Sequence, residues 1–324
     1  ALCVMAHDGA VHEIEAETYY QNSLKDPRYA GELQAYKVGV EFPEKPVELD
    51  PYFLGLWLGD GSSRDPSVTV GDKDPELITY LNDYATSLGL RARVVQNAGC
   101  SMVSMSVCIR ETSCRTSGCT KPVRAGGYCI DHYNHEKYHN GYRCKKVNTI
   151  RSAIISLNVK NNKHIPDSYK FNSRDVRLKL LAGLIDSDGS ALKGGGFMFV
   201  NSNSRLAADV CWLARSLGFR ARSKCYPTSL KATGFKGKSW YTYISGPDLH
   251  DIPTKVPRKK GKPTKRRYNR YKLKLTPVGI GEYFGIQIDG NRRFLMGDFT
   301  CLRNTGVCVN MAVNMVSPSI GEDV

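Results

Sequence analysis

The sequence predicts an α+β fold made of two pseudo-symmetric halves. Three observations predict it. A stretch of the chain repeats itself, each copy carries helical and strand-like segments in one order, and the strand-like segments alternate as antiparallel sheets do. Residues 51–62 read PYFLGLWLGDGS and residues 180–190 read LLAGLIDSDGS, which places their Asp-Gly-Ser steps at Asp60 and Asp188. Residues 87–93, SLGLRAR, match residues 216–222, SLGFRAR, at nearly the same offset. Two independent matches at one spacing imply a tandem duplication and a pseudo-twofold axis.

Each copy opens with an apolar helix, Phe53–Asp60 in the first. A helix apolar all round is buried between layers. Gly55 and Gly59 lie four apart on one face, and Gly183 with Ala182 supplies the small side chains in the second copy. Small residues at that spacing let two helix backbones approach. A strand is expected next, at 67–70 and at 196–200. An amphipathic helix follows at 76–88 and at 205–215, where apolar residues recur at helical spacing. Two further strands close each copy, at 91–95 and 101–108, then at 220–225 and 239–245. Another helix is expected around 148–157.

The acid at each helix end carries the chemistry. Asp60 and Asp188 occupy C-termini, followed by Gly61 and Gly189 as expected C-caps. A carboxylate there faces the negative end of the helix dipole, at a cost of about 0.3–1 kcal/mol. A bound divalent cation would reverse that sign. Helices packed side by side would bring both acids to one hydrolytic metal site. On the strands, Arg91 and Arg93, and Arg220, Arg222 and Lys224, alternate and so share a sheet face suited to a DNA groove.

Composition fits a polyanionic partner: 46 basic against 31 acidic side chains give +15 over 324 residues. No apolar run is long enough for a membrane span, and the first residues lack a signal-peptide layout. Eleven cysteines without such a leader suggest a reducing, intracellular setting, nucleus or cytoplasm.

Residues 181–189, LAGLIDSDG, lie one residue, Ser187, from the motif that names the LAGLIDADG homing endonucleases. Residues 53–61, FLGLWLGDG, resemble the looser variant of a first copy. The motif's sixth position is Leu58 in one copy and Asp186 in the other. The resemblance covers roughly residues 40–255. It implies two αββαββα halves whose antiparallel sheets form a saddle over the DNA major groove. It implies a monomer with an internal twofold that makes a staggered double-strand break at a long asymmetric site, using two or three Mg2+ ions. On that pattern Asp60 and Asp188 hold metal with the neighbouring Gly59 and Ser187. Gly55 and Gly183 form the helix interface. A lysine belongs near each metal. Lys238 is the expected one in the second copy, with the DNA-contacting Lys236 behind it, and the first copy shows no clear equivalent.

Between the copies, Cys114, Cys119, Cys129 and His132 have the spacing of a zinc knuckle. Three thiolates and an imidazole suit a closed tetrahedral Zn2+ site of structural type. The homing-endonuclease resemblance does not predict this insert.

The two ends resemble parts of an intein splicing domain. Residues 281–300 look like its last strands, and Asn304 with Thr305 match the terminal asparagine and the acceptor nucleophile. Arg303 stands where a histidine would act as acid and base. The front end has Ala1, not the usual Cys or Ser, so a degenerate, incomplete or split Hint domain is expected. The resulting organisation is a splicing remnant (1–45), a first endonuclease half (46–165, zinc-knuckle insert 111–146) and a second half (166–254). A basic linker (255–275), a C-terminal splicing block (276–304) and a host flank (305–324) follow. A splicing element with a passenger nuclease, and a non-cutting nucleic-acid binder, stay open as alternatives.

Overall fold

The computed structural model describes the chain except residues 64, 108–113, 124–127, 141–147, 231–234, 264–268, 278, 280–287, 289 and 304–324. The chain opens with β1 (Leu2–Met5), β2 (Val11–Ile14), α1 (Ala16–Lys25), α2 (Tyr29–Glu32) and β3 (Gln34–Tyr36). The first repeat comprises α3 (Pro51–Asp60), β4 (Ser67–Gly71), α4 (Pro75–Ser87), β5 (Leu90–Asn97) and β6 (Cys100–Val107). Then come α5 (Ile130–His139), α6 (Thr149–Ser156) and α7 (Asp167–Lys170). The second repeat comprises α8 (Arg174–Asp188), β7 (Gly189–Ala191), β8 (Phe197–Asn201), α9 (Ser204–Ser216), β9 (Arg220–Leu230) and β10 (Phe235–Ser245). Two 3-10 turns, β11 (Arg270–Tyr271), β12 (Arg293–Leu295) and β13 (Cys301–Arg303) complete the order.

The duplication is therefore visible as two helix–strand–helix–hairpin units. The counterpart of β7 in the first unit is one bridge, Gly61 to Val68. The closing helix is α6 in the first unit and only 3-10 turns in the second. All described strand pairs are antiparallel, in sheets ordered β4-β6-β5 and β7-β8-β10-β9. One core joins both units, from Phe53, Leu54 and Trp57 to Leu181, Leu184 and Phe199.

Its axis is the α3–α8 pair. Asp50 starts α3 by accepting from the Phe53 N–H at 2.9 Å, with Pro51 in the first turn. A Cβ on Gly55 would sit 2.3 Å from the Leu180 carbonyl oxygen, and one on Gly183 would sit 2.1 Å from that of Tyr52. The contact is reciprocal, as a pseudo-twofold requires. It runs through Gly55 and Gly183, whereas Gly59 faces the Ser187 side chain.

Gly61 and Gly189 are not left-handed caps. Both are extended, at φ −75° and −98°. Their lack of a side chain serves the sharp exit from helix to strand. A Cβ would lie 2.3 Å from the Trp57 oxygen and 2.6 Å from the Ile185 oxygen.

The first and last described strands meet in a third sheet, ordered β11-β3-β1-β13-β12, with β2 also on β1. Its small core is Leu2, Val4, Tyr19, Ala35, Leu273 and Leu275. Arg177, fully buried, ties the segment leaving this sheet to the second unit. It donates to the carbonyls of Asn172, Ser216 and Val40 at 2.8, 2.9 and 2.6 Å. Residues 255–260 are not a free linker. The N–H groups of Lys255 and Val256 donate to Asp186, and Lys259 is buried. Asn304 and Thr305, with the rest of 304–324, lie outside the described residues.

Candidate active site at the paired helix ends

Because α3 and α8 pack glycine on glycine, their last residues arrive together. The Asp188 Oδ2 lies 3.4 Å from where a Gly59 Cβ would be, beside Asp60. Burial pushes the Asp60 carboxyl up to about 6, and the neighbouring Asp188 charge adds to this. Burial likewise raises Asp188, while the Asn201 amide, donating at 2.6 Å, partly offsets it. Two part-buried acids that repel each other, both at negative helix ends, form a site that gains from a divalent cation. The donor set is oxygen, as Mg2+ prefers.

The cations beside these acids are Lys163 and Lys259, which the sequence reading missed. The Lys163 Nζ donates to the carbonyls of Gly59 and Gly61 at 2.9 and 2.7 Å. The Lys259 Nζ donates to those of Ile185, Asp186 and Ser187 at 3.0, 2.8 and 3.1 Å. Each ammonium thus caps the C-terminus of one of these two helices and answers its dipole. Burial lowers the pKa of both lysines, and the nearby carboxylates pull it back up. The Gly59 and Ser187 carbonyls, expected beside the metal, each already accept one of these bonds.

Lys238 is not among the cations that act on Asp188, which are Lys163 and Lys259. The β9–β10 register runs unbroken from Phe235↔Leu230 to Ser245↔Arg220 and pairs Lys238 with Pro227 and Lys236 with Ser229. With a period of two, both lysines share the face of Thr242 and Ile244, opposite to Arg222 and Lys224. Lys236 is therefore also separated from the arginine face it was grouped with. A lone Lys in 161–167, NNKHIPD, or one of the three in 256–262, VPRKKGK, carries no periodic signal, so only the folded chain picks out Lys163 and Lys259.

The arginines do share faces. Arg91 and Arg93 are exposed and pair with Ser106 and Ser104, so they stand on the face turned away from the core residues Val103 and Met105. Arg220, Arg222 and Lys224 pair with Ser245, Tyr243 and Tyr241 on the corresponding face of the second sheet. Arg220 lies 5.4 Å from the Tyr271 ring and Arg222 6.0 Å from that of Tyr243.

Away from the helix ends, the expected knuckle residues converge. The ligand atoms of Cys114, Cys119, Cys129 and His132 all lie within 4.8 Å of one another. The His132 Nδ1 is 3.3 Å from the sulfurs of both Cys114 and Cys129. For Cys114, burial opposes ionisation, but N–H groups of Cys129 and Thr116 and the side chains of Thr116 and His132 prevail, holding the thiol down at about 6. The thiolate is the form that binds metal. Among the described cysteines none is paired in a disulfide. No helix among the described residues is long and apolar enough to cross a membrane.

The family model for homing endonucleases matches residues 42–120 and 164–258, just over half of the chain. The chain is 27% identical to a replicative DNA helicase DnaB of Mycobacterium intracellulare over 184 residues, 57% of this chain and 22% of that protein. It is 25% identical to the homothallic switching endonuclease of Saccharomyces cerevisiae over 290 residues, 80% of this chain and 44% of that protein. The chain thus spans less than half the length of either. A solved structure of the homing endonuclease I-DmoI, a mesophilic variant, is 14% identical and covers 63% of this chain and 94% of its own, with a TM-score of 0.34. I-DmoI bound to DNA and calcium is 13% identical, with 63% and 88% covered and a TM-score of 0.35. Both superpositions are too loose to inform the site. The family match leaves out 121–163, which contain most of the cysteine insert and Lys163.

Proposed function

This chain belongs to the homing endonuclease family, and we propose that it acts as a site-specific DNA endonuclease cutting both strands by phosphodiester hydrolysis. The observation that carries this reading is the pair of helix ends, where Asp60 and Asp188 meet with Lys163 and Lys259 beside them.

Asp60 and Asp188 would hold Mg2+, two or three ions in all. When bound, such ions supply Lewis-acid stabilisation and a water nucleophile at neutral pH. The chain's own groups do the rest. The two ammoniums keep positive charge fixed next to the carboxylates, where phosphate charge develops. The arginine faces of both sheets supply groove contacts for a long asymmetric duplex site. Lys259, at the end of α8, takes the role first assigned to Lys238, and Lys163, at the end of α3, fills the place left open in the first copy. The knuckle residues would hold one structural Zn2+, since three sulfurs and a ring nitrogen already converge there. The internal pseudo-twofold lets a monomer address both strands.

A second reading is favoured by one further observation. The first and last described strands pair in one sheet, and the whole endonuclease body is inserted between β3 and β11. An insertion of that kind fits a passenger nuclease carried inside a splicing domain. Expression with and without an upstream partner segment, followed by product masses, decides whether splicing occurs.

For the nuclease, a plasmid library is incubated with the protein and Mg2+. Linear product at a defined site is expected, and Asp60→Asn or Asp188→Asn should abolish it. A library left intact by the unsubstituted protein overturns the proposal.

A further inference from the structure

Lys163 and Lys259 are held in place by an arrangement that neither repeat contains alone. The carbonyl of Lys163 accepts from the Asn203 Nδ2 at 2.7 Å. Two residues on, the Ile165 N–H donates to Asp209 at 2.9 Å, and one residue back Asn162 accepts from Arg205 at 3.3 Å. Asn203 is the N-cap of α9, and Arg205 and Asp209 lie on that helix. So the lysine whose ammonium caps α3 of the first unit has its backbone pinned by the second unit.

The other lysine shows the mirror arrangement. Arg258, its neighbour, donates to Asp74 through Nε at 3.0 Å and through Nη2 to both carboxylate oxygens at 2.6 Å. Asp74 is buried and is the N-cap position of α4, yet its side chain makes no capping bond. An N-cap acid ordinarily bonds the first turn of its own helix; this one holds Arg258 instead. The Lys255 ammonium also lies 4.9 Å from the ring of Tyr80, on the same helix. So the lysine that caps α8 of the second unit is pinned by the first. Asp74 and Asn203 are also counterparts in the duplication, each immediately preceding its helix.

We propose that Asp74 and Asn203 are positioning residues acting in trans: the N-cap of each unit's second helix fixes the active-site lysine of the opposite unit. The lysines' role in cleavage rests on the nuclease reading; the crossed anchoring does not. Its consequence is that neither scissile phosphate can be served by one unit alone. The repeats are coupled through their cations as well as through Gly55 and Gly183.

The test reads anchoring and cutting separately. The full chain is acetylated with an N-hydroxysuccinimide ester and each lysine's labelling rate is followed by mass spectrometry. Asp74→Asn and Arg258→Ala should speed labelling of Lys259 by about tenfold, as loss of a charge-assisted bond predicts, and leave Lys163 unchanged. Asn203→Ala should do the reverse. Lys37, held by Asp298 in the terminal sheet at 2.5 Å, reports global loosening. In parallel, nicked plasmid is mapped by strand. Asp74→Asn should slow the strand that Lys259→Met slows, and Asn203→Ala the strand that Lys163→Met slows. Labelling confined to the lysine of the same unit, or equal at both lysines, overturns the proposal. If the unsubstituted protein cuts nothing while labelling shows the crossed pattern, the nuclease reading falls and the anchoring stands.

Discussion

At the scale of single residues, Gly55 and Gly183 decide whether a site exists. A methyl at either would lie within 2.3 Å of a backbone oxygen, and backbone cannot move aside as a side chain can. We expect Gly55→Ala and Gly183→Ala each to lower stability by about 3 kcal/mol or more, read as a shifted urea midpoint. Gly194→Ala, which meets nothing within 4 Å, should change it by less than about 0.5 kcal/mol. Equal effects at the three positions would mean that the helices do not touch there.

Asp60 gives a second residue-scale prediction, and its sign is unusual. Its folded pKa, about 6, lies above the ordinary 3.8, so the folded state binds the proton more tightly. Between about pH 4 and pH 6 the metal-free protein should therefore lose stability as pH rises, by on the order of 2 kcal/mol from this group. Above that window the loss is complete. Asp60→Asn should flatten the slope and make the metal-free protein more stable at pH 7, while added Mg2+ stabilises only the unsubstituted chain. Denaturation in a chelator at several pH values measures this. These two positions were legible in the sequence because a duplication displayed them twice. Lys163 and Lys259 were not, because a capping ammonium is recognised by the carbonyls it meets and not by its neighbours in sequence.

At the scale of elements, the cysteine insert is a separable device. It leaves the first unit after β6 and returns at α6, where Asn148 donates to the Met105 carbonyl at 2.8 Å. Its own helix, α5, buries no residue. So short a module has little apolar surface to fold on, and the proposed Zn2+ would supply what a core would. We expect one Zn2+ per chain by elemental analysis, falling to none in Cys119→Ala. Chelation should unfold 114–139 in hydrogen exchange and spare α3 and α8. A chain free of zinc after metal-replete expression, or exchange that spreads into α3, would refute this. The convergence of Cys114, Cys119, Cys129 and His132 was legible because ligand spacing is a local signal. The strands were legible for the same reason: SWYTYIS, residues 239–245, alternates wherever it is placed. The docking of 255–260 was not, because a run of lysines reads as solvated charge unless the acids that receive it, Asp74 and Asp186, are known to be near.

At the scale of the whole molecule, three sheets serve one body. The two repeat sheets turn Arg91 and Arg93, and Arg220 and Arg222, away from the shared core, and the terminal sheet leans on the second of them. Tyr271 of β11 lies under the Arg220 guanidinium at 5.4 Å, so the sheet of the first and last described strands orders a residue on the surface proposed to face the groove. A pre-ordered arginine loses less freedom on binding. If each arginine meets a phosphate, removing either pair should lower the slope of log K against log salt by about 2. The affinities should differ even so. Arg220→Ala with Arg222→Ala should weaken binding more than Arg91→Ala with Arg93→Ala, and Tyr271→Ala should recover part of that difference alone by loosening Arg220. Binding isotherms on the cleaved site across a salt series measure both quantities. An unchanged slope in both double variants would remove these faces from the DNA interface. Equal affinities with the expected slope would leave the interface intact and separate the terminal sheet from it.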